Sequence, residues 1–144
     1  MILKPKRKVS KFFIHCSDSD YEKHDNIETI REWHVTERGF DDIAYHFFIN
    51  KKGEIFPCRD LEKIPASHSP HNTGSISICL SGKEDFTEKQ FLSLQNLCNI
   101  YNHLYDREIT FHGHCEVSNK ECPVFDYKSV LHLTNKGYIN ESFM

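Results

Sequence analysis

Residues 12–16, Phe-Phe-Ile-His-Cys, form an apolar run broken by one imidazole and followed at once by Ser17-Asp18-Ser19-Asp20. A short apolar run closed by turn-forming polar residues reads as a buried strand. A chain with such a strand near its start must build a sheet around it and cover that sheet. The one polar side chain, His15, is then delivered at the mouth of the strand.

The rest of the chain supplies the covering elements. The first strand is expected over Lys11–Cys16. A helix follows over Ile27–Arg38, with Asn26 as its cap, Ile27, Ile30 and Trp33 or His34 as its apolar stripe, and Gly39 at the left-handed stop. Tyr45–Asn50 and Glu54–Cys58 flank a short polar link with Gly53, the pattern of a hairpin. Arg59–Gly74 is rich in Pro, Ser and His and reads as loop. In Ser75–Ser81, Ile76, Ile78 and Leu80 alternate with small polar residues, as in a strand. Thr87-Glu88-Lys89-Gln90 is a capping box. It opens a helix with Phe91, Leu94, Leu97, Cys98, Tyr101, Leu104 and Tyr105 on one face. Ile109–His112 reads as a short strand, and Asp126 caps a last short helix. Strands alternating with helices predict a single α/β domain, a central mixed sheet flanked by helices. The hairpin excludes a purely parallel sheet.

Length and composition agree. The chain has 144 residues, 38% hydrophobic and 27% charged, the profile of one globular domain. Residues 1–10 are expected as a basic solvated tail carrying Lys4, Lys6, Arg7 and Lys8, residues 11–134 as the domain, and residues 135–144 as a C-terminal tail. A net charge of −3 offers no basic field for nucleic acid. No apolar run approaches the roughly 20 residues of a membrane span, and no signal peptide is evident. The expectation is therefore synthesis in a cytoplasm. Of six cysteines, Cys16, Cys79 and Cys98 lie in apolar patterns and read as buried free thiols.

Three residues carry chemistry. His114 and Cys122 stand eight apart near the end, and His15 stands at a strand mouth near the start. Two imidazoles and a thiolate suit zinc, and three protein ligands leave the fourth position open, as in catalytic sites. A structural site would want a fourth ligand, and Cys-x-x-Cys occurs nowhere in the chain.

A set of segments in one order makes the chain recognisable. These are Phe13-Ile14-His15-Cys16-Ser17, Ile43-Ala44-Tyr45-His46-Phe47-Phe48-Ile49, Gly53-Glu54-Ile55 with Arg59-Asp60, and Ser67-His68. They continue with Asn72 and Ser75–Leu80, His114-Cys115-Glu116-Val117, and Lys120-Glu121-Cys122-Pro123. The set resembles the type-2 zinc N-acetylmuramoyl-L-alanine amidases, especially the short phage lysozymes, whose fold animal peptidoglycan recognition proteins share. The resemblance spans roughly residues 12–130. It implies zinc held by His15, His114 and Cys122, catalytic roles for Tyr45 and Lys120, and substrate contacts from His68 and Asn72. It also implies hydrolysis of the bond between N-acetylmuramic acid and the L-alanine of the stem peptide. The implied setting is a monomer that lyses bacteria for a phage, reaching the wall through a membrane lesion.

The chain departs from the phage pattern in two places. The spacing from His68 to Ser75 is one residue shorter, which affects the placement of Asn72, and Cys115 stands where relatives often carry a second histidine. Two other functions fit the same fold: a non-catalytic peptidoglycan-binding module, against which the retained Cys122 argues, and a host wall-recycling or remodelling amidase. A zinc-dependent nucleic-acid deaminase would need Pro-Cys-x-x-Cys, which is absent.

Overall fold

The structure is a computed structural model and describes residues 4–67 and 69–140. Its centre is a five-stranded sheet in the order β3-β2-β4-β1-β5. The strands are β1 (Lys11–Cys16), β2 (Phe47–Ile49), β3 (Ile55–Pro57), β4 (Ser75–Leu80) and β5 (Thr110–Gly113). β4 and β5 run parallel to β1, and β2 runs parallel to β4, while β3 pairs antiparallel with β2. The mixed sheet and the hairpin are as expected.

Side-chain alternation divides the sheet into two unequal faces. Phe12, Ile14, Ile76, Ile78 and Leu80 join Phe47, Ile49 and Phe111 on one face, packed against Leu94, Leu97, Cys98 and Tyr101 of α2 (Glu88–Leu104). These four α2 residues are completely buried, and each leucine contributes about 1.5–3 kcal/mol of transfer free energy. The capping box opens α2 as anticipated, with Gln90 N–H donating to Thr87 Oγ1 at 3.1 Å and Thr87 N–H to Gln90 Oε1 at 2.9 Å. The opposite face carries a smaller cluster of Ile30, Ile43, Phe48 and Cys79.

Four features differ from the sequence expectation. The helix after Asn26 is α-helical only over Ile27–Arg31 (α1) and continues as a π-helix over Glu32–Glu37, a widening common at functional sites. Tyr45 precedes β2 instead of lying on it. Residues 4–10 are not wholly solvated. Pro5 and Val9 are buried, and the Arg7 guanidinium donates to Leu61 O at 2.6 Å and Ser75 O at 2.7 Å. The stretch from residue 135 also docks, with Phe111 N–H donating to Gly137 O at 2.8 Å and Ile139 bridging back to Leu133. In both cases a few buried residues are set among exposed polar ones, which composition alone hides. All six cysteines are free thiols, and Cys16, Cys79 and Cys98 are buried as expected.

Two buried histidines predict how stability responds to acid. Burial, reinforced by Arg7 and Arg59 against the Lys63 carbonyl, lowers the His46 pKa to about 4. Burial and then Arg38 lower that of His34 to about 4. The folded protein keeps both neutral while unfolded histidines protonate near pH 6.5. Their contribution is therefore complete above about pH 6.5 and is lost as pH falls towards 4, by up to about 3 kcal/mol for His46. Asp20 acts lower. Burial opposes its ionisation but is outweighed by the Lys83, Glu84 and Asp85 amides and the Lys51 ammonium, which hold it well below the usual carboxylate range. Its contribution drains only below about pH 4. In denaturant titrations, the stability difference between parent and His46→Gln should shrink as pH drops from 6.5 to 4. A difference independent of pH would refute the neutral buried imidazole.

Candidate metal centre and cleft

Three parallel strands, β1, β4 and β5, end on the same side of the sheet, where ligands gather in α/β folds. His15 is the penultimate residue of β1 and is 1% exposed. Its parity places it with Phe13 and Cys79 on the face opposite α2. β5 ends at Gly113, and a 3₁₀ turn over His114–Glu116 follows directly, which carries His114 back over His15. The Cys115 N–H donates to Cys122 O at 2.7 Å and closes the loop that returns Cys122.

The turn is braced from beneath. The Glu116 carboxylate accepts the Gly113 N–H at 2.9 Å, meets His112 Nδ1 at 2.9 Å and accepts the Tyr127 hydroxyl. Tyr127 begins α3 (Tyr127–Val130), which Asp126 caps as anticipated. His112 thus acts on the His114 turn through Glu116.

The donor atoms of His15, His114 and Cys122 lie within 4.8 Å of one another. Cys122 Sγ is 3.9 Å from His15 Nδ1, and the two imidazole rings are 4.8 Å apart. Tetrahedral zinc spaces a nitrogen and a sulfur ligand about 3.6 Å apart, so the set fits a zinc ion with slight closure. The chemistry of the donors fits as well. Burial, and then the Lys120 ammonium, lower the His114 pKa, which favours the neutral, ligating form. The neighbouring Cys16 thiol, and then burial, hold Cys122 protonated, while the Cys16 N–H donates to its sulfur at 3.1 Å. A thiolate at this position therefore calls for a cation. Cys115 is exposed and stands outside the donor cluster.

A cleft of about 800 Å³ opens over the three residues. Tyr45 and Lys120 both line it. The Tyr45 ring packs 5.1 Å from that of His15. Burial, followed by the Cys79, Cys122 and Cys16 thiols, pushes its hydroxyl well above the usual phenol range, so it stays a hydrogen-bond donor at neutral pH. Lys120 is exposed on the wall.

The two expected substrate contacts fare differently. His68 lies outside the described residues. Asn72 is not among the residues lining the cleft; its Oδ1 accepts the Ser67 N–H at 3.2 Å and its carbonyl accepts the Ser75 hydroxyl at 2.7 Å. It braces Ser67, which does line the cleft and bonds Ser77 Oγ at 2.8 Å. Trp33, His34, Arg38 and the Lys83–Glu84 pair also form walls. Trp33 and His34 were legible only as alternatives in an apolar helical stripe, and Arg38, Lys83 and Glu84 lack any sequence pattern that marks them.

Comparison with known proteins gives a consistent result. The profile of the N-acetylmuramoyl-L-alanine amidase family matches residues 5–125. The endolysins of Enterobacteria phage T3 and Escherichia phage T7 are each 32% identical over 133 residues, covering 87% of this chain and 87% of theirs. Among solved structures, the N-acetylmuramoyl-L-alanine amidase LysC from Clostridium intestinale superposes with a TM-score of 0.77 at 25% identity, over 88% of this chain and 85% of that one. Drosophila peptidoglycan recognition protein LB superposes with a TM-score of 0.72 at 26% identity, over 87% and 82% of the two chains.

Proposed function

The chain belongs to the N-acetylmuramoyl-L-alanine amidase family and acts on peptidoglycan, and from that premise we propose that it is a zinc hydrolase serving phage lysis. The bond cut joins N-acetylmuramic acid to the L-alanine of the stem peptide. The observation that carries the zinc reading is the convergence of His15, His114 and Cys122 at the floor of the cleft. When bound by these three residues, zinc supplies Lewis acidity for the scissile carbonyl and the attacking water.

The chain's own groups do the rest. The cleft admits the lactyl amide to its floor and limits bulk water around it. Lys120 sets a positive charge on the wall where negative charge grows on the carbonyl oxygen. The Tyr45 hydroxyl, held protonated by its surroundings, donates a hydrogen bond that orients the water or the tetrahedral intermediate. Neither group needs to move a full charge through a dry interior. Asn72 acts on the substrate side through Ser67, and the family resemblance assigns His68 a substrate contact.

The role in lysis is supported by the likeness to phage endolysins over most of both chains. No described helix is long and apolar enough to cross a membrane. In this reading the protein is made in the host cytoplasm, acts as a monomer and reaches the wall through a lesion in the membrane. Digestion of purified peptidoglycan tests the activity. Stem peptides with a free N-terminal alanine should accumulate without new reducing sugar ends, and a chelator should stop their release. New reducing ends without free alanine would make the enzyme a glycosidase.

A further inference from the structure

We infer that His34 is the positioning residue for the Tyr45 hydroxyl, through a hydrogen bond from the Ala44 amide to His34 Nδ1 and ring packing along the phenol. The inference rests on Tyr45 acting in the reaction. His34 acts on Tyr45 alongside Cys79 of β4, whose thiol is hydrogen-bonded to the Tyr45 side chain.

Tyr45 lies just before β2, and its carbonyl accepts the Arg59 N–H at 3.2 Å, so its main chain is tied on the side of β3 while His34 meets the preceding amide. The Ala44 N–H donates to His34 Nδ1 at 2.9 Å, in a buried setting. The Tyr45 ring stands between two imidazoles, 5.1 Å from His15 and 5.3 Å from His34. One imidazole belongs to the metal-binding set, and the other has no part in it. His34 is 4% exposed, yet it also lines the cleft. It sits in the π-helical stretch Glu32–Glu37, and the chain turns back onto it. The Phe40 N–H donates to His34 O at 2.8 Å, and the Phe40 ring lies 5.6 Å from the imidazole. The carbonyls on the same segment are held from the other side. Arg59 donates to Ile43 O at 3.1 Å, and the Ala66 N–H donates to Ala44 O at 3.2 Å.

The bond dictates the state of the ring. A nitrogen that accepts an N–H carries no proton, so the neutral imidazole of His34 must hold its proton on Nε2. Burial and then Arg38 lower its pKa, which keeps that tautomer in place at neutral pH. Removing the acceptor leaves the Ala44 N–H buried and unpaired and takes away one wall of the phenol slot. Small displacements of a reacting group carry large rate penalties.

The test combines spectroscopy and kinetics on the zinc-loaded full chain. Nitrogen-15 NMR of the histidine rings should show His34 as the Nε2–H tautomer near neutral pH. An Nδ1–H tautomer would overturn the proposal without any activity measurement. His34→Leu should retain zinc and KM while kcat falls about tenfold or more. His34→Asn offers an oxygen near the Nδ1 position and should recover part of the loss. In a Tyr45→Phe background, His34→Leu should cost less than about twofold more, because the residue it positions no longer acts. An undiminished loss in that background, or a His34→Leu enzyme within about twofold of the parent, would refute the positioning role. A fully active Tyr45→Phe would instead overturn the role of Tyr45 itself, with the tautomer result still standing as a statement about His34 and Ala44.

Discussion

Replacing Cys122 with serine should strip the protein of most of its zinc and nearly all of its amidase activity. The sulfur is the one soft donor in the cluster of His15, His114 and Cys122. A serine hydroxyl ionises far less readily than a thiol and matches zinc less well. Two imidazoles alone do not make the three-ligand set of a catalytic zinc site. After dialysis, metal analysis should find about one zinc per parent chain by that ligand logic and clearly less in the variant. Peptidoglycan hydrolysis should fall by about a hundredfold or more, the loss expected when a whole catalytic contribution of about 3 kcal/mol disappears. Cys115→Ser is the matched control. Cys115 is exposed and lies outside the donor cluster, so both zinc content and activity should stay at parent levels. Full zinc occupancy in Cys122→Ser would remove Cys122 from the site.

Tyr45→Phe and Lys120→Ala should separate metal binding from catalysis. Neither side chain contributes to the donor cluster, and both line the cleft above it. Each variant should fold and keep its zinc, while kcat drops about 10²–10³-fold, or about 3–4 kcal/mol in the barrier, as for loss of one preorganised donor. In metal-stripped protein, Lys120→Ala should also raise the His114 pKa, because the ammonium helps to lower it. If each variant keeps activity within a factor of about two, the assigned roles are wrong for this chain.

Much of this architecture was legible before any coordinates. The apolar run of β1, the alternation of β4, the capping box of α2 and the Asp126 cap are local signals with local causes, and each element stands where those signals put it. The clustering of His15, His114 and Cys122 was legible for a different reason. His15, His114 and Cys122 are far apart in sequence, and only their ordered context in a resembling family ties them together. What remained hidden depends on tertiary packing. The π-helical turn over Glu32–Glu37 is accompanied by the chain folding back onto His34, where the Phe40 N–H meets His34 O, and no periodicity reveals it. Arg7 reads as part of a basic tail because its partners, Leu61 and Ser75, lie more than fifty residues away. Asn72 was aligned by type, but its side chain was drawn to the Ser67 amide in its own loop, a local bond that short polar side chains make readily.

A zinc-dependent mechanism ties amide hydrolysis to bound zinc. The most direct measurement is a titration of zinc into metal-stripped protein, with bound metal and release of free N-terminal alanine from peptidoglycan read on the same samples. Activity should start near zero, rise in proportion to bound zinc and level off at about one zinc per chain, as expected for a single three-ligand site. Stripped protein that hydrolyses the wall at the full rate, or activity that does not follow zinc occupancy, would contradict a zinc-dependent mechanism at His15, His114 and Cys122.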